Sequence, residues 1–359
     1  MYNYFVLISE IGENMNYKCG KIKVNSAREF YEKFLEGYLF KNIEIDESKR
    51  KDIYSYMRFI QDKPLKNLYI GHCYYYGYGV NVNDDLAFDF YMKAAKEGNA
   101  DAQNSLGKCY FLGFCVEKDY KMAALWYESS AKLGHYSAQN NIGSIYSKGY
   151  GVKIDLKKAV YWYTKSAEQG HSIAQYNLGD CYYYGTGVDK DYYKAVYWYE
   201  AAANLDLKEA YETLGYCYTQ GTGVPIDYQK AIYWYSKAAE KGSPYGQTGL
   251  GHCYKTMNDL EKAVYWYKKA ADLEYGLAQE RLGFLCYEQK NYKEAIIWFK
   301  KAAEQGLVNS QNALGDFYQF GKEVPKDLKL AKYWYQKAAA QGDEDAKESL
   351  DFLKRFYNI

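Results

Sequence analysis

This chain of 359 residues lacks most of the features that announce an activity. It has almost no net charge: 46 Lys and Arg against 45 Asp and Glu leave +1, with the signs interspersed and no basic block, which argues against nucleic acid as a partner. The apolar run from Tyr4 to Ile8 has no basic region before it. Nothing approaches the ~18 consecutive apolar residues of a membrane span, so neither a signal peptide nor membrane insertion is expected. There are four histidines. His72 and His252 are equivalents far apart in the chain, His135 and His171 open neighbouring repeats, and no metal-ligand spacing results. His72 and His252 each precede a cysteine, but adjacent side chains on a helix point about 100° apart, which disfavours a Cys/His nucleophilic pair. The glycine pairs Gly77/Gly79, Gly149/Gly151, Gly185/Gly187 and Gly221/Gly223 precede no G-K-S/T and follow no strand, so they read as turns, not phosphate cradles. No catalytic set, cofactor or metal is expected.

What the chain does have is a repeat. Gly71, Gly107, Gly143, Gly179, Gly215, Gly251, Gly283 and Gly315 recur at steps of 36, 36, 36, 36, 36, 32 and 32 residues, each in an approximate L-G-x-x-Y frame. Each copy reads as two apolar helical patterns separated by a glycine-rich loop. In the third, helix A spans about 137–148 with Ile142, Ile145 and Tyr146 on one face, and Gly149 takes a left-handed conformation at its end. Helix B follows Asp155 with the stripe Ala159, Trp162, Tyr163 and Ala167. The equivalent cap is Asp or Asn in all eight copies, the side chains that satisfy free N–H groups at a helix start. Tryptophan falls at one position in seven copies, from Trp126 to Trp334, with Phe90 in the first, and is read as core. Glycine within helix A costs about 1 kcal/mol relative to alanine, and close approach of helix B would account for it. Leu350 aligns with Leu314 while Asp351 takes the glycine position, and no further helix B follows: without the partner, no glycine is needed.

Such units cannot bury their apolar faces alone and must stack, which predicts an all-α solenoid with one continuous core. On the run L-G-D-C-Y-Y-Y-G-T-G-V-D-K-D-Y-Y-K-A-V-Y-W-Y-E at 178–200 and its neighbours, the chain resembles the Sel-one-like repeat family, relatives of tetratricopeptide repeats. The expected division is a non-repeat cap or partner-specific module at 1–66, eight repeats (67–102, 103–138, 139–174, 175–210, 211–246, 247–278, 279–310 and 311–346) and a capping helix at 347–359. Repeats six and seven lack the four loop residues and take tetratricopeptide-like spacing. The resemblance implies a right-handed superhelix of antiparallel pairs with helix A on the concave face, and a scaffold or adaptor. A secreted branch of that family pairs a Cys near the end of helix B with one eight residues on; here those positions are Ala95 and Gln103, Ala167 and Gln175, Ala239 and Gln247. Instead Cys73, Cys109, Cys181, Cys217 and Cys253 lie one per repeat, read as small buried thiols, pointing to a reducing intracellular, cytoplasmic setting.

On that basis the exposed helix A positions are three before and one, four and five after the repeated glycine. They supply the candidate partner-binding set Asn104, Lys108, Phe111, Asn140, Tyr176, Tyr183, Tyr184 and Tyr216. Asn and Lys suit an extended backbone or a carboxylate, and Tyr and Phe give flat apolar contact at low entropy cost. The expected function is binding of another protein, through a peptide or helix along this face. The alternatives are a purely structural spacer and an enzyme with a site assembled on the inner face. Before the array, Tyr4 to Ile8 and Lys21 to Val24 are expected to pair as strands. A Ser26/Glu29 capping box opens a helix bearing Phe30, Phe34, Leu35 and Leu39, and a second helix covers about 48–61. At the other end Leu350, Leu353 and Phe356 mark one apolar side of the last helix.

Overall fold

The computed structural model describes residues 22–24, 43–45 and 47–358. Among them are 18 helices and a single two-stranded ribbon, in which Ile22–Val24 (β1) runs parallel to Ile43–Ile45 (β2) with Ile22 opposite Ile43. Tyr4 to Ile8 and the helix expected after Ser26 lie outside the described residues. The helix foreseen at 48–61 is Glu47–Met57, and its Ile53 and Met57 are buried in the same cluster as Ile70 and Cys73 of the first repeat. The chain forms two compact units, Met1–Leu207 and Lys208–Ile359. Within each, helix A packs on helix B of its own repeat and helix B on the next helix A. The all-α array of helix pairs is therefore present.

The local signals act as their chemistry predicts. Helix A of repeat three, Tyr136–Lys148, is opened by His135, whose Nδ1 accepts from the Ala138 N–H at 3.1 Å, and closed by Gly149 at φ 74°. Each helix B starts behind its foreseen cap: the side chains of Asn83, Asp119, Asp155, Asp191, Asp227, Asp259, Asn291 and Asp327 all accept N–H bonds from the first turn. In the shortened repeats the missing loop is replaced by a tight left-handed turn at Asn258 (φ 62°) and Lys290 (φ 60°).

The repeated glycine has a specific neighbour. A β-carbon on Gly179 would lie 2.6 Å from the ring of Tyr199, one on Gly71 2.7 Å from Tyr91, and one on Gly283 2.8 Å from Phe299. The same contact recurs in all eight repeats, with Tyr127, Tyr163, Tyr235, Tyr267 and Tyr335 supplying the other rings. Helix B thus approaches through one aromatic ring laid where helix A has no side chain. This corrects the sequence reading of the core. Trp162, Trp298 and Trp334 are buried, but Trp126, Trp198, Trp234 and Trp266 are only half-buried, and the deepest aromatic is the residue after each tryptophan. The second loop glycine is equally constrained: a β-carbon on Gly151 would lie 2.5 Å from the backbone of Tyr120, the first residue of the preceding helix B.

Neighbouring repeats are joined by a hydrogen bond at the Ala and Gln positions eight residues apart. The Gln103 amide donates to the Ala95 carbonyl at 3.1 Å, and Gln139, Gln175, Gln279 and Gln311 do the same to Ala131, Ala167, Ala271 and Ala303. Seven described cysteines are free thiols, and the five at the repeated helix A position are buried. The last helix, Glu344–Tyr357, buries Ala346 and Leu353, whereas Phe356 is largely exposed against Phe352, contrary to the single apolar side expected.

Tyr199→Ala should therefore cost about 3–5 kcal/mol, as for a buried aromatic left as a cavity. Trp198→Ala should cost less. Gly179→Ala, although it gains about 1 kcal/mol of helix propensity, should lose stability overall by displacing the Tyr199 ring, with overpacking costing roughly 1–3 kcal/mol. Urea unfolding of the three variants checks the order; a larger loss at Trp198 than at Tyr199 would reassign the core.

Candidate functional site

In seven repeats the ring that covers the glycine ends in a hydroxyl, and in repeats one, three, four and eight that hydroxyl reaches the residue following the glycine. Tyr91 Oη lies 2.9 Å from His72 Nδ1, the Tyr199 hydroxyl donates to Asp180 at 2.7 Å, and the Tyr335 hydroxyl donates to Asp316 at 2.6 Å. Tyr163 hydrogen-bonds with Ser144 and Ser147. Where repeat seven has Phe299 in place of tyrosine, the residue after its glycine is Phe284, with the two rings edge to face at 4.9 Å. Burial pushes the Asp180 carboxyl up to about 6, with the Tyr199 hydroxyl acting against that shift, and pushes His72 down to about 4.

Repeat two breaks the pattern. Its residue after the glycine is Lys108, half-buried, with its ammonium pushed down by burial. The Tyr127 hydroxyl beneath this face is buried and has no partner among the described residues. No described carboxylate pairs with Lys108, which stands at the position that Asp180 and Asp316 fill in repeats four and eight. On the same face Asn104 accepts from the Asn141 amide at 3.2 Å, and Asn140 accepts from the Asn177 amide at 2.9 Å, a short ladder of amides running from repeat two to repeat four.

Six of the eight candidate side chains are at least partly open to solvent, and two are not. Asn104, Lys108, Tyr176 and Tyr183 are half-buried and Tyr184 is 64% exposed. Tyr183 lies between Tyr184 (4.8 Å) and Tyr192 (5.1 Å), and Tyr176 rests on Tyr199 at 5.3 Å. Phe111 and Asn140, expected to be exposed, are buried. The Phe111 ring is covered by Tyr120 and by Tyr150 from the loop of the next repeat, and Asn140 by its bond to Asn177. Leu68, at the same position as Asn140, is buried too. Tyr216 is exposed and belongs to the second unit. Sequence reasoning missed the tyrosine hydroxyls beneath this face. The signal was available in the joint change of Tyr to Phe299 and of a polar residue to Phe284. Also missed was a row of exposed tyrosines on helix B, Tyr161 and Tyr197 in the first unit and Tyr233, Tyr265 and Tyr333 in the second, each packed edge-on against the tryptophan that follows it.

The model of the Sel1 repeat matches eight consecutive segments of this chain: 67–99, 100–135, 137–171, 172–207, 209–243, 244–275, 276–307 and 308–343. The chain belongs to the Sel1 repeat family. Among solved structures, it is similar to c5321, described as a protective antigen present in uropathogenic Escherichia coli strains and displaying an SLR fold. That likeness has a TM-score of 0.77 and 31% identity, over 92% of this chain and 71% of the other. It is also similar to a Sel1 repeat protein from Oxalobacter formigenes, with a TM-score of 0.63 and 28% identity over 82% of this chain and 88% of the other. No curated protein matches the sequence. Among the described residues of this Sel1 repeat protein no helix is long and apolar enough to cross a membrane, and no three His, Cys, Asp or Glu side chains converge as a metal site.

The raised Asp180 carboxyl makes a signed prediction. Its folded value of about 6 lies above the ordinary 3.8, so the folded state holds the proton more tightly. The stability this contributes is fully present below the ordinary value and is lost as pH rises through the folded one. Tyr199→Phe, which removes the donor to the carboxylate, should move the Asp180 titration higher still. Asp180→Asn should flatten the decline in stability across that window. Carboxyl-carbon NMR titration gives the first result and urea midpoints against pH the second; an Asp180 titrating at 3.8 would contradict both.

Proposed function

We propose that this protein is a non-catalytic interaction scaffold whose first unit holds an acidic segment of a partner protein on the helix A face. The observation that carries the reading is Lys108, half-buried on the helix A face with no described carboxylate beside it, in the position that Asp180 and Asp316 fill in repeats four and eight. A half-desolvated ammonium without a counter-charge is costly. A carboxylate from a bound chain meets the Lys108 ammonium, at the position where Asp180 and Asp316 stand in their own repeats. Around it, Asn104 and its amide ladder suit an extended backbone, while Tyr176, Tyr183 and the exposed Tyr184 give contact area at small entropic cost. Phe111 and Asn140 serve by holding that surface in place from below. Lys148, half-buried at the end of the next helix A and pushed down by burial, extends the positive character of the face. Tyr216 offers an exposed aromatic on the second unit. A Sel1 repeat array built wholly of helix pairs, and similar to tetratricopeptide-type repeats in spacing, fits an adaptor of this kind.

Selection of random dodecapeptides on the intact chain tests the proposal. Wild type should enrich Asp- and Glu-containing peptides. Lys108→Glu should weaken their binding at least tenfold, about 1.4 kcal/mol, with an unchanged circular dichroism spectrum. Selected peptides without acidic residues, or equal binding by a folded Lys108→Glu variant, would remove the carboxylate from this face.

A further inference from the structure

Repeat two departs from its siblings at a second place, the loop after helix A. Of the six repeats with the full loop, four carry a glycine at the second turn position, Gly79, Gly151, Gly187 and Gly223, each at φ between 67° and 77°, and repeat eight has Glu323 at φ 56°. Repeat two has Cys115 there, held at φ 64°. That backbone region favours glycine, and β-carbons on Gly151 and Gly187 would strike the backbone of the preceding helix B. Cys115 therefore carries a side chain where those repeats have room for none. Its thiol lies close enough to that of Cys109 for each to perturb the other, beside Asp84 at the start of the preceding helix B. The backbone holds the two residues together: the N–H groups of Gly113 and Phe114 both donate to the Cys109 carbonyl, the latter at 2.9 Å, and the Asp119 N–H donates to the Tyr110 carbonyl at 2.9 Å. Cys109 is 5% exposed and Cys115 is partly open to solvent. The equivalents of Cys109 in other repeats, Cys73, Cys181, Cys217 and Cys253, face loops with no second thiol.

We propose that Cys109 and Cys115 are a disulfide-forming pair, closed by exchange with a small disulfide such as oxidised glutathione. The more open Cys115 thiolate attacks one sulfur of glutathione disulfide, forming a mixed disulfide and releasing one glutathione thiolate. The Cys109 thiolate then attacks the Cys115 sulfur, forms the internal bond and expels the second glutathione. Two protein thiols are oxidised, one glutathione disulfide is reduced, and the two protons end on the two glutathione thiols. Burial and the neighbouring Asp84 push Cys115 up to about 12, and burial pushes Cys109 up to about 11. Closure is accordingly slow at neutral pH, and such poor leaving groups make the bond, once formed, resistant to reopening. The closed ring contains Phe111 and Leu112, so oxidation pins the end of helix A to its loop beside the proposed binding face. The pairing itself stands independently of that proposal.

Incubation of the full chain in oxidised glutathione at mildly alkaline pH, followed by acid quench, alkylation and peptide mapping, is the test. The expected product is lighter by about 2 Da, the two lost thiol hydrogens, with Cys109 and Cys115 in one linked peptide and the other buried cysteines alkylated after denaturation. Cys115→Gly, which restores the residue of the sibling loops, should abolish the product. Cys109→Ala should instead accumulate glutathione on Cys115. Wild-type protein in which both residues remain alkylatable, or in which glutathione stays on Cys115, would overturn the proposal, and neither result depends on a variant folding.

Discussion

Everything in this array hangs on an aromatic ring lying on a glycine. The helix A glycine costs about 1 kcal/mol of propensity, while a buried aromatic side chain returns about 1.5–3 kcal/mol, and the two meet only when helix A and helix B of one repeat are already paired. Neither helix has reason to persist without the other. That is why the glycine and the ring occur together in all eight repeats. The glutamine bonds from one helix A to the end of the preceding helix B then add repeat to repeat.

The same contact has a consequence for the surface. A phenylalanine would fill the space above the glycine as well as a tyrosine, as Phe299 does. In four repeats tyrosine also delivers a hydroxyl through the packed layer to the residue after the glycine, and that position differs widely along the array: His72, Lys108, Ser144, Asp180, Tyr216, His252, Phe284 and Asp316. Stacking fixes the ring, and the hydroxyl then makes its neighbour's chemistry matter. Asp180, Asp316 and Ser144 close the site internally, Phe284 meets Phe299 where there is no hydroxyl to satisfy, and Tyr235 turns instead to Thr219 and Tyr245. Variation at one position can thus diversify a surface without disturbing the fold beneath it.

The repeat, its caps and its turn glycines were legible because they depend on residues close in sequence. Asp155 caps helix B through an N–H three residues away, and no tertiary information is required. The choice between Trp198 and Tyr199 as the deeper side chain was not legible. Adjacent residues on a helix differ by about 100° in direction, and the periodic pattern accommodates either until the position of the opposing glycine is known. Two of the candidate surface residues failed for a longer-range reason. Phe111 is covered by Tyr150 and Asn140 is tied to Asn177, in each case by the following repeat, so reading one repeat alone exposed faces that its neighbour covers.

Repeat two shows how an array of near-copies can be read for more than its fold. Packing alone explains a glycine at the second loop position and an acceptor or an apolar group near the tyrosine hydroxyl, since other repeats achieve both. Lys108 and Cys115 depart from this: the first has no described carboxylate beside it in the repeat where Tyr127 lacks a partner, and the second accepts a left-handed backbone with a side chain attached, as Glu323 does in repeat eight. Both belong to a single helix A and its loop, on either side of Phe111 and Leu112. Stability is already secured in this repeat by Gly107 against Tyr127 and by the Asp119 cap. Two local departures that weaken packing without unseating it are therefore best accounted for by chemistry at the surface, where an ammonium can meet an anion and a thiol can meet another thiol.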